Sequence, residues 1–533
     1  MRSLSLSLAA SFLLCAPAFA GTVVVPTTTL TNETSSNTST ASTFAAQSNG
    51  NEGLSNVSKV DTRTLLYSGA NTRIYAHFMG WFGPSNHMQV GYTSSDTGQV
   101  DKQIADALSR GISGFILDWY GQNNAMPNAT AFTLKSEAER NGTFQFAIME
   151  DGGALGSCNS TPGCDVTGQL IIDLQYAYSN FENSPAYITF NGRPAVFFFD
   201  PDRYGTLDWQ RVATTMSAYG NPLLIFQNSG GFTHAQSSGS ISWVIIDTTN
   251  ANDWEQSYLD NFYQTALSYS SEHAFGATYK GFNDTLASWG SKRIMNQNCG
   301  QTWLSTFSEI GKYYGGSAPQ LESLQLVTWN DYEEGTEIES GIDNCVGLTA
   351  SVAGTQLSWT ISGNENTIDH YTPFISTDGE NLMPLSDVPA GVHSVDLSTY
   401  GFATGTYAVY VKAVGKPTLK NQMSNAASFL NGPAPDFTMS ISPSAASIPH
   451  GGSVSFTVSV AAVNGFKGNV SLGVTGLPSR SSASFNPSSL TGSGSSTLTI
   501  TTSKKSRSAT YNLTVTAKSG TLSHSNTATL TLQ

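Results

Sequence analysis

The chain has 533 residues, too many for one ordinary core, so two to four domains are expected. Only 12 % of the residues are charged and the formal net charge is −14. That excludes the basic face that nucleic acid requires and disfavours an anionic membrane surface, and it fits a neutral polymer partner.

Residues 1–20 (MRSLSLSLAASFLLCAPAFA) carry one Arg, a short apolar run and a small-x-small site at Ala18-Phe19-Ala20, the pattern of a signal peptide. The run is too short to span a bilayer, and no later stretch is apolar for long enough to do so; no membrane insertion and a secreted protein are expected. Cys15 follows Leu14, which argues against a lipoprotein signal. Removal of the signal leaves Cys158, Cys164, Cys299 and Cys345, an even set that suggests two disulfides, Cys158 with Cys164 and Cys299 with Cys345. Cysteines this far apart do not make a zinc site, and no metal or cofactor is expected. Residues 21–58 are dominated by Thr, Ser and Asn and read as a flexible linker, because they cannot bury enough to offset the entropy of ordering.

From residue 59 to 345 the pattern is strand, helix, strand, helix. Apolar strands are expected at 74–81, 114–120, 144–151, 194–200, 223–228, 242–247, 274–280 and 324–330. Helical spacing appears at 99–110, 128–141, 166–181, 207–219, 253–269 and 301–314. A short Gly/Ser stretch joins the fifth strand to the sixth. Strands apolar on both faces belong to parallel sheets covered by helices, and eight units in about 270 residues match a (β/α)8 TIM barrel. A doubly wound α/β sheet would want a glycine-rich phosphate loop after its first strand, which is missing. Residues 346–432 and 433–533 alternate apolar and polar positions between turns, as in Leu357-Ser358-Trp359-Thr360-Ile361 and Val454-Ser455-Phe456-Thr457-Val458. They read as two small all-β sandwich domains of fibronectin or immunoglobulin type. Neither shows the aromatic cluster of a sugar-binding face. Both are read as spacers, with contact to a cell-wall or extracellular glycan as the alternative.

In such a barrel the site lies where the strands end. There the chain delivers His77 and Trp81; Asp118, Trp119 and Tyr120; Glu150 and Asp151; Asp200 and Asp202; Gln227 and Asn228; Asp247; Lys280, Asn283 and Asp284; and finally Trp329, Asn330, Asp331, Tyr332, Glu333 and Glu334. Acids and amides pair with hydroxyls, and aromatic faces stack on the C–H faces of sugar rings, so the mix points to a polysaccharide. Taken singly, Asp200 or Asp247 would serve equally as a helix cap, and His77 as a core histidine. Glycoside hydrolysis needs two carboxyl groups, and Asp331 and Glu334, three apart on a turn leaving the last strand, are the candidate catalytic pair. Glu333, between them, is expected to turn aside towards a helix N-terminus or Lys280.

Thr328-Trp329-Asn330-Asp331-Tyr332-Glu333-Glu334 resembles the W-N-D-Y-x-E signature of glycoside hydrolase family 71, the endo-α-1,3-glucanases, as does the opening strand Tyr75-Ala76-His77-Phe78-Met79. Gly335-Thr336-Glu337-Ile338-Glu339, Trp81-Phe82-Gly83 and Leu117-Asp118-Trp119-Tyr120 look instead like segments of family 99, the endo-α-mannosidases and endo-α-mannanases. The resemblance covers roughly residues 70–345. Both families imply Asp331 and Glu334 as the working acids, with Glu334 the proton donor. Family 71 implies inversion, with Asp331 activating water. Family 99 implies retention through the sugar's own 2-hydroxyl, but normally has Glu where Asp331 stands, and the shorter side chain favours inversion. The expected function is thus cleavage of an α-linked polysaccharide, α-1,3-glucan first and α-mannan second. A non-catalytic carbohydrate-binding surface protein is the reading from another class, and a metal-dependent hydrolase would want His clusters that the strand ends lack.

Overall fold

The computed structural model describes residues 56–83, 87–205, 207–316 and 319–533. The expected signal peptide, residues 1–20, and nearly all of the expected linker lie outside the described residues. Residues 56–58, which composition puts in that linker, are buried, and Val57 forms a β-bridge with Lys420.

Among the described residues, eight parallel strands close into a barrel: β1 (Arg73–Met79), β2 (Gly114–Trp119), β3 (Gln145–Asp151), β4 (Arg193–Phe199), β5 (Leu223–Gln227), β6 (Gly239–Ile241), β7 (His273–Tyr279) and β8 (Ser323–Val327). Neighbours in sequence are neighbours in the sheet, β8 pairs with β1, and the pairing of Met149 with Phe197 joins β3 to β4 and completes the ring. The helices α1 (Thr97–Ser109), α2 (Ala125–Asn141), α3 (Val166–Ala177), α4 (Trp209–Met216), α5 (Gln256–Ser268) and α6 (Gln301–Tyr314) cover it. Their starts follow local chemistry: the carboxylates of Asp96, Asp165 and Asp208 cap α1, α3 and α4 by accepting backbone N–H bonds. Only a 3-10 turn, Ser229–Thr233, links β5 to β6. Inside the barrel, the Phe275 ring stands 4.9 Å from that of Phe197 at 87° and 6.5 Å from that of Tyr75, filling the lumen below the mouth.

One strand differs from expectation. The apolar run 242–247 is not a strand: only Ser242 N still donates to the Phe275 carbonyl of β7, at 2.8 Å, and the paired strand is Gly239–Ile241. Gly239 is what permits this: a Cβ there would sit 2.1 Å from the carbonyl oxygen of His273 on β7.

The two modules after the barrel are built mainly of antiparallel strands; in the second, Ala445–Ile448 pairs parallel with Leu522–Leu532. In the first, Gly347–Ala353 and Gln356–Ser362 belong to one sheet, and Ile368–Ser376 and Gly405–Gly415 to the other. Trp359, Tyr371, Val411 and Phe429 are among its core residues. In the second, Ser453–Val463 and Thr510–Ser519 lie in separate sheets, over a core that includes Phe456, Leu498, Leu513 and Leu530. A loop of the first module is seated in the barrel. Leu419 is fully buried among barrel core residues, and the Trp303 indole donates to the Pro417 carbonyl at 3.1 Å. The disulfide Cys299–Cys345 lies beside this join, and Cys158–Cys164 closes a short turn after β3. Among the described residues, no helix is long and apolar enough to cross a membrane.

Candidate active site

The mouth of the barrel holds a cavity of 810 Å³. Trp81, Asp118, Tyr120, Asp151, Asp200, Gln227, Asn228, Asp331 and Glu334 all line it, so nine of the seventeen candidate residues are brought together. His77 lies just beneath, fully buried, with Nε2 3.7 Å from Asp118 Oδ2 and its ring edge-on to Trp243. Burial pushes its pKa down to about 3, so it is neutral; it does not line the cavity, and its place is that of the core histidine rather than of a sugar ligand.

The other seven do not line the cavity, and each has a physical reason. Successive strand residues face opposite sides of the sheet. Asp118 and Asp151 face the lumen, so Trp119 and Glu150 face the helices. Trp119 stacks on Tyr176 at 6.1 Å and donates to Asn128 of α2, while Glu150 is buried where it feels Asp173 of α3. Trp329 turns outward onto the Arg110 guanidinium and the Phe115 ring. Asn330 continues the ladder past the end of β8, accepting from Met79 N at 2.7 Å and donating to Met79 O at 3.1 Å. The Tyr332 hydroxyl donates to Glu339 at 2.9 Å. Lys280 pairs with Glu337 at 2.8 Å. Asp247 is solvated and folds onto the backbone N–H and hydroxyl of Thr249, because β6 ends six residues earlier than expected.

The turn after β8 is heavily cross-bonded. Asp331 N donates to Thr328 Oγ1 at 2.9 Å, and Asp331 Oδ1 accepts from Glu333 N at 3.0 Å and Glu334 N at 2.9 Å. One carboxylate oxygen is thus spent on holding the turn, leaving Oδ2 for the cavity. The Glu334 carbonyl accepts from Asn283 N at 2.6 Å, tying the turn to the chain after β7. Glu333 does turn aside, but towards His87 Nδ1 at 2.8 Å and Met88 N at 3.0 Å, since Glu337 has taken Lys280.

The electrostatics separate the acids. Burial raises Asp331 to about 7, and the nearby charges of Glu333 and Asp118 add to this against the two backbone N–H bonds. Burial and the Asp331 charge hold Glu334 well above the usual carboxylate range. Glu333 is also buried, but its bonds to His87 and Met88 outweigh that and keep it below its ordinary value, hence ionised. Asp118 and Asp151 are each raised to about 7, chiefly by burial. Arg203, which lines the cavity, bonds Asp200 at 2.9 Å and lies 3.7 Å from Asp151.

Asn228 is held in an unusual backbone state, φ 64° and ψ 176°, which side chains adopt at a cost of about 1–3 kcal/mol and which clusters at functional sites. Its N–H donates to the Ile241 carbonyl at 2.8 Å, and the Tyr258 hydroxyl donates to its Oδ1 at 2.6 Å. With Oδ1 so engaged, the amide offers Nδ2 as its donor, and the residue lines the cavity.

Sequence reasoning missed one side of the site. Trp243, Val244, Ile245, Ile246, Phe282 and Trp289 give the cavity an apolar wall, and Arg203, Arg293 and His87 add cations or imidazole. The run 242–246 was visible as apolar but read as strand core. Single residues on irregular loops, such as Arg203 and Trp289, carry no periodic signal. Among the described residues, no group of three or more His, Cys, Asp or Glu is placed to hold a metal ion.

No family model and no curated protein matches the chain. Among solved structures, the chain is similar to a family 99 endo-alpha-mannosidase from Bacteroides thetaiotaomicron, in complex with bis-tris-propane, at 15 % identity and TM-score 0.40, over 51 % of this chain and 87 % of that one. It is also similar to fibronectin(III)-like modules of Clostridium thermocellum CbhA (12 % identity, TM-score 0.20, 35 % of this chain and 94 % of that one). A third likeness is to domains 4 and 5 of the S-layer protein SbsC (18 % identity, TM-score 0.17, 32 % and 82 %). At such distances the functional reading has to come from the site itself.

Proposed function

We propose that the protein is a secreted, endo-acting glycoside hydrolase that cleaves an α-linked polysaccharide, α-1,3-glucan first. The observation that carries this reading is the pair Asp331 and Glu334 at one cavity, both raised by burial, Glu334 also by the Asp331 charge, with one oxygen of Asp331 fixed by the backbone. Two carboxyl groups whose mutual repulsion keeps a proton between them are what acid–base cleavage of an acetal needs. Glu334 donates its proton to the leaving glycosidic oxygen. Asp331 Oδ2 accepts a proton from water as the water attacks the anomeric carbon, and the configuration inverts. Proton exchange with solvent then resets the pair. The apolar wall meets the C–H faces of the sugar, while Asn228 Nδ2 and the acids opposite meet its hydroxyls. The two disulfides support export to an oxidising compartment.

A second substrate, α-mannan, is favoured by a specific observation: Trp81, Asp118 and Tyr120, which carry the family-99-like motifs, all line the cavity. The test is proton NMR of products from α-1,3-glucan and α-mannan, with Asp331→Asn and Glu334→Gln alongside. Oligosaccharides from one polymer and from neither variant support the reading and report the anomer. Products that persist in both variants overturn the assignment of the pair. Binding of either polymer without products moves the protein to the non-catalytic class.

A further inference from the structure

The strand-end residues do not explain Trp289. It sits at the cavity mouth with 51 % of its surface exposed, on the loop between β7 and α6. An isolated exposed indole is an ordinary surface feature, but this one is presented by a framed loop. Phe282–Asn283 pairs antiparallel with Ile294–Met295 to make a stem. At the tip, the fully buried Asp284 carboxylate accepts from Ser291 N at 3.1 Å and from Arg293 N at 2.6 Å and Nε at 2.9 Å. The Arg293 guanidinium in turn lies 4.8 Å over the Phe282 ring. Gly290, directly after the tryptophan, passes so close to the Asp284 carbonyl that a Cβ would be 2.0 Å from its oxygen, so the local path accepts only glycine. The stem is bonded to the β8 turn through Asn283 N and the Glu334 carbonyl, and to the chain after β6 through Asn296 N and the Ala251 carbonyl at 2.7 Å.

The loop backbone is therefore tied to the turn that carries Glu334, and it sets Trp289 in the cavity lining with half of its surface exposed; Ile245 of the apolar wall also lines the cavity and is exposed. We propose that Trp289 is a stacking platform for a pyranose ring of the polymer lying outside the cleaved bond, a subsite that engages long chains and not short ones. This rests on the glycosidase reading above. A rigid aromatic plane offers contact area at little entropic cost, and its place at the rim reaches only a chain that extends beyond the cavity.

The test uses the full chain carrying Glu334→Gln, so that binding is read without turnover. Affinity for short and long α-1,3-gluco-oligosaccharides, and for α-mannan fragments of both lengths, is measured by calorimetry, with Trp289→Ala, Trp289→Tyr and Leu286→Ala added in turn. Trp289→Ala is expected to weaken long-chain binding by about tenfold and leave short-chain binding unchanged. Trp289→Tyr should restore most of the loss, and Leu286→Ala, on the same loop but outside the cavity lining, should do nothing. Equal loss for short and long chains, or no loss while the Glu334→Gln parent still binds glycan and the unsubstituted chain cleaves it, overturns the platform and leaves the hydrolase reading standing. A parent protein that binds no fragment of either polymer overturns both.

Discussion

The two walls of the cavity are built on opposite principles. The wall from β2, β3 and β4 is charged, with Asp118, Asp151 and Asp200 facing the lumen or its rim and Arg203 among them. The wall from the ends of β6 and β7 is apolar, with Trp243, Val244, Ile246 and Phe282. Asp331 and Glu334 stand between them. A charged wall acts at a distance and sets protonation. An apolar wall acts only on contact and leaves protonation alone. The contrast teaches that, on the proposed reading, one cavity tunes its acids and holds a glycan with separate sets of residues, which variants can pull apart.

The largest effect is expected between the walls. Asp331→Asn or Glu334→Gln should lower kcat by about a thousandfold or more while glycan binding persists in calorimetry. Next comes the charged wall. Activity needs Asp331 ionised and Glu334 protonated, so the rate should fall as pH drops below about 7 and fall again as Glu334 loses its proton at higher pH. The Asp118 charge raises both groups, so Asp118→Asn should move both limbs of the pH–rate profile to lower pH and cost about tenfold or more in kcat/KM. An unmoved profile would mean that the charged wall does not set protonation.

Glu182 is a control outside both walls. Its buried carboxyl is raised to about 8 by burial. A raised carboxyl contributes stability below its unfolded value and loses it as pH rises towards the folded one. Glu182→Gln should therefore stabilise the fold at pH 7 by about 1–3 kcal/mol in denaturant titrations, with little gain at pH 4, and leave the activity profile alone. Glu333→Gln is finer. The Glu333 charge raises Asp331, so the acid limb alone should shift down, by less than about one pH unit. Smallest is the apolar wall, where Ile245→Ser should raise KM about threefold and shift neither limb.

Much of the fold was legible because its signals are periodic. Seven of the eight strands and all six helices fall where apolar spacing puts them. The sixth strand did not, because its apolar run lines the cavity and packs on His77, while the true ladder uses Gly239 and Ser240, whose small side chains look like a turn. In the site, carboxylates at strand ends were readable, yet the two-residue alternation sends every second one outward, which is how Trp119 and Glu150 come to lie among the helices. Asn330 and Lys280 are polar at the right height but satisfied by protein partners, which spacing does not reveal. The apolar wall was missed since apolar residues that line a cavity look like core in a sequence.

The chain leaves the barrel through the same turn that carries Asp331 and Glu334, so any mechanical pull on the two sandwich modules would travel first towards the acids. It meets a clamp before arriving. Cys345 is bonded to Cys299 at the start of α6, and Leu419 and Pro417 are anchored against the barrel beside it. Tension arriving at residue 345 would thereby pass through the disulfide to the chain ahead of α6 before it reached the turn that spaces the two carboxyls.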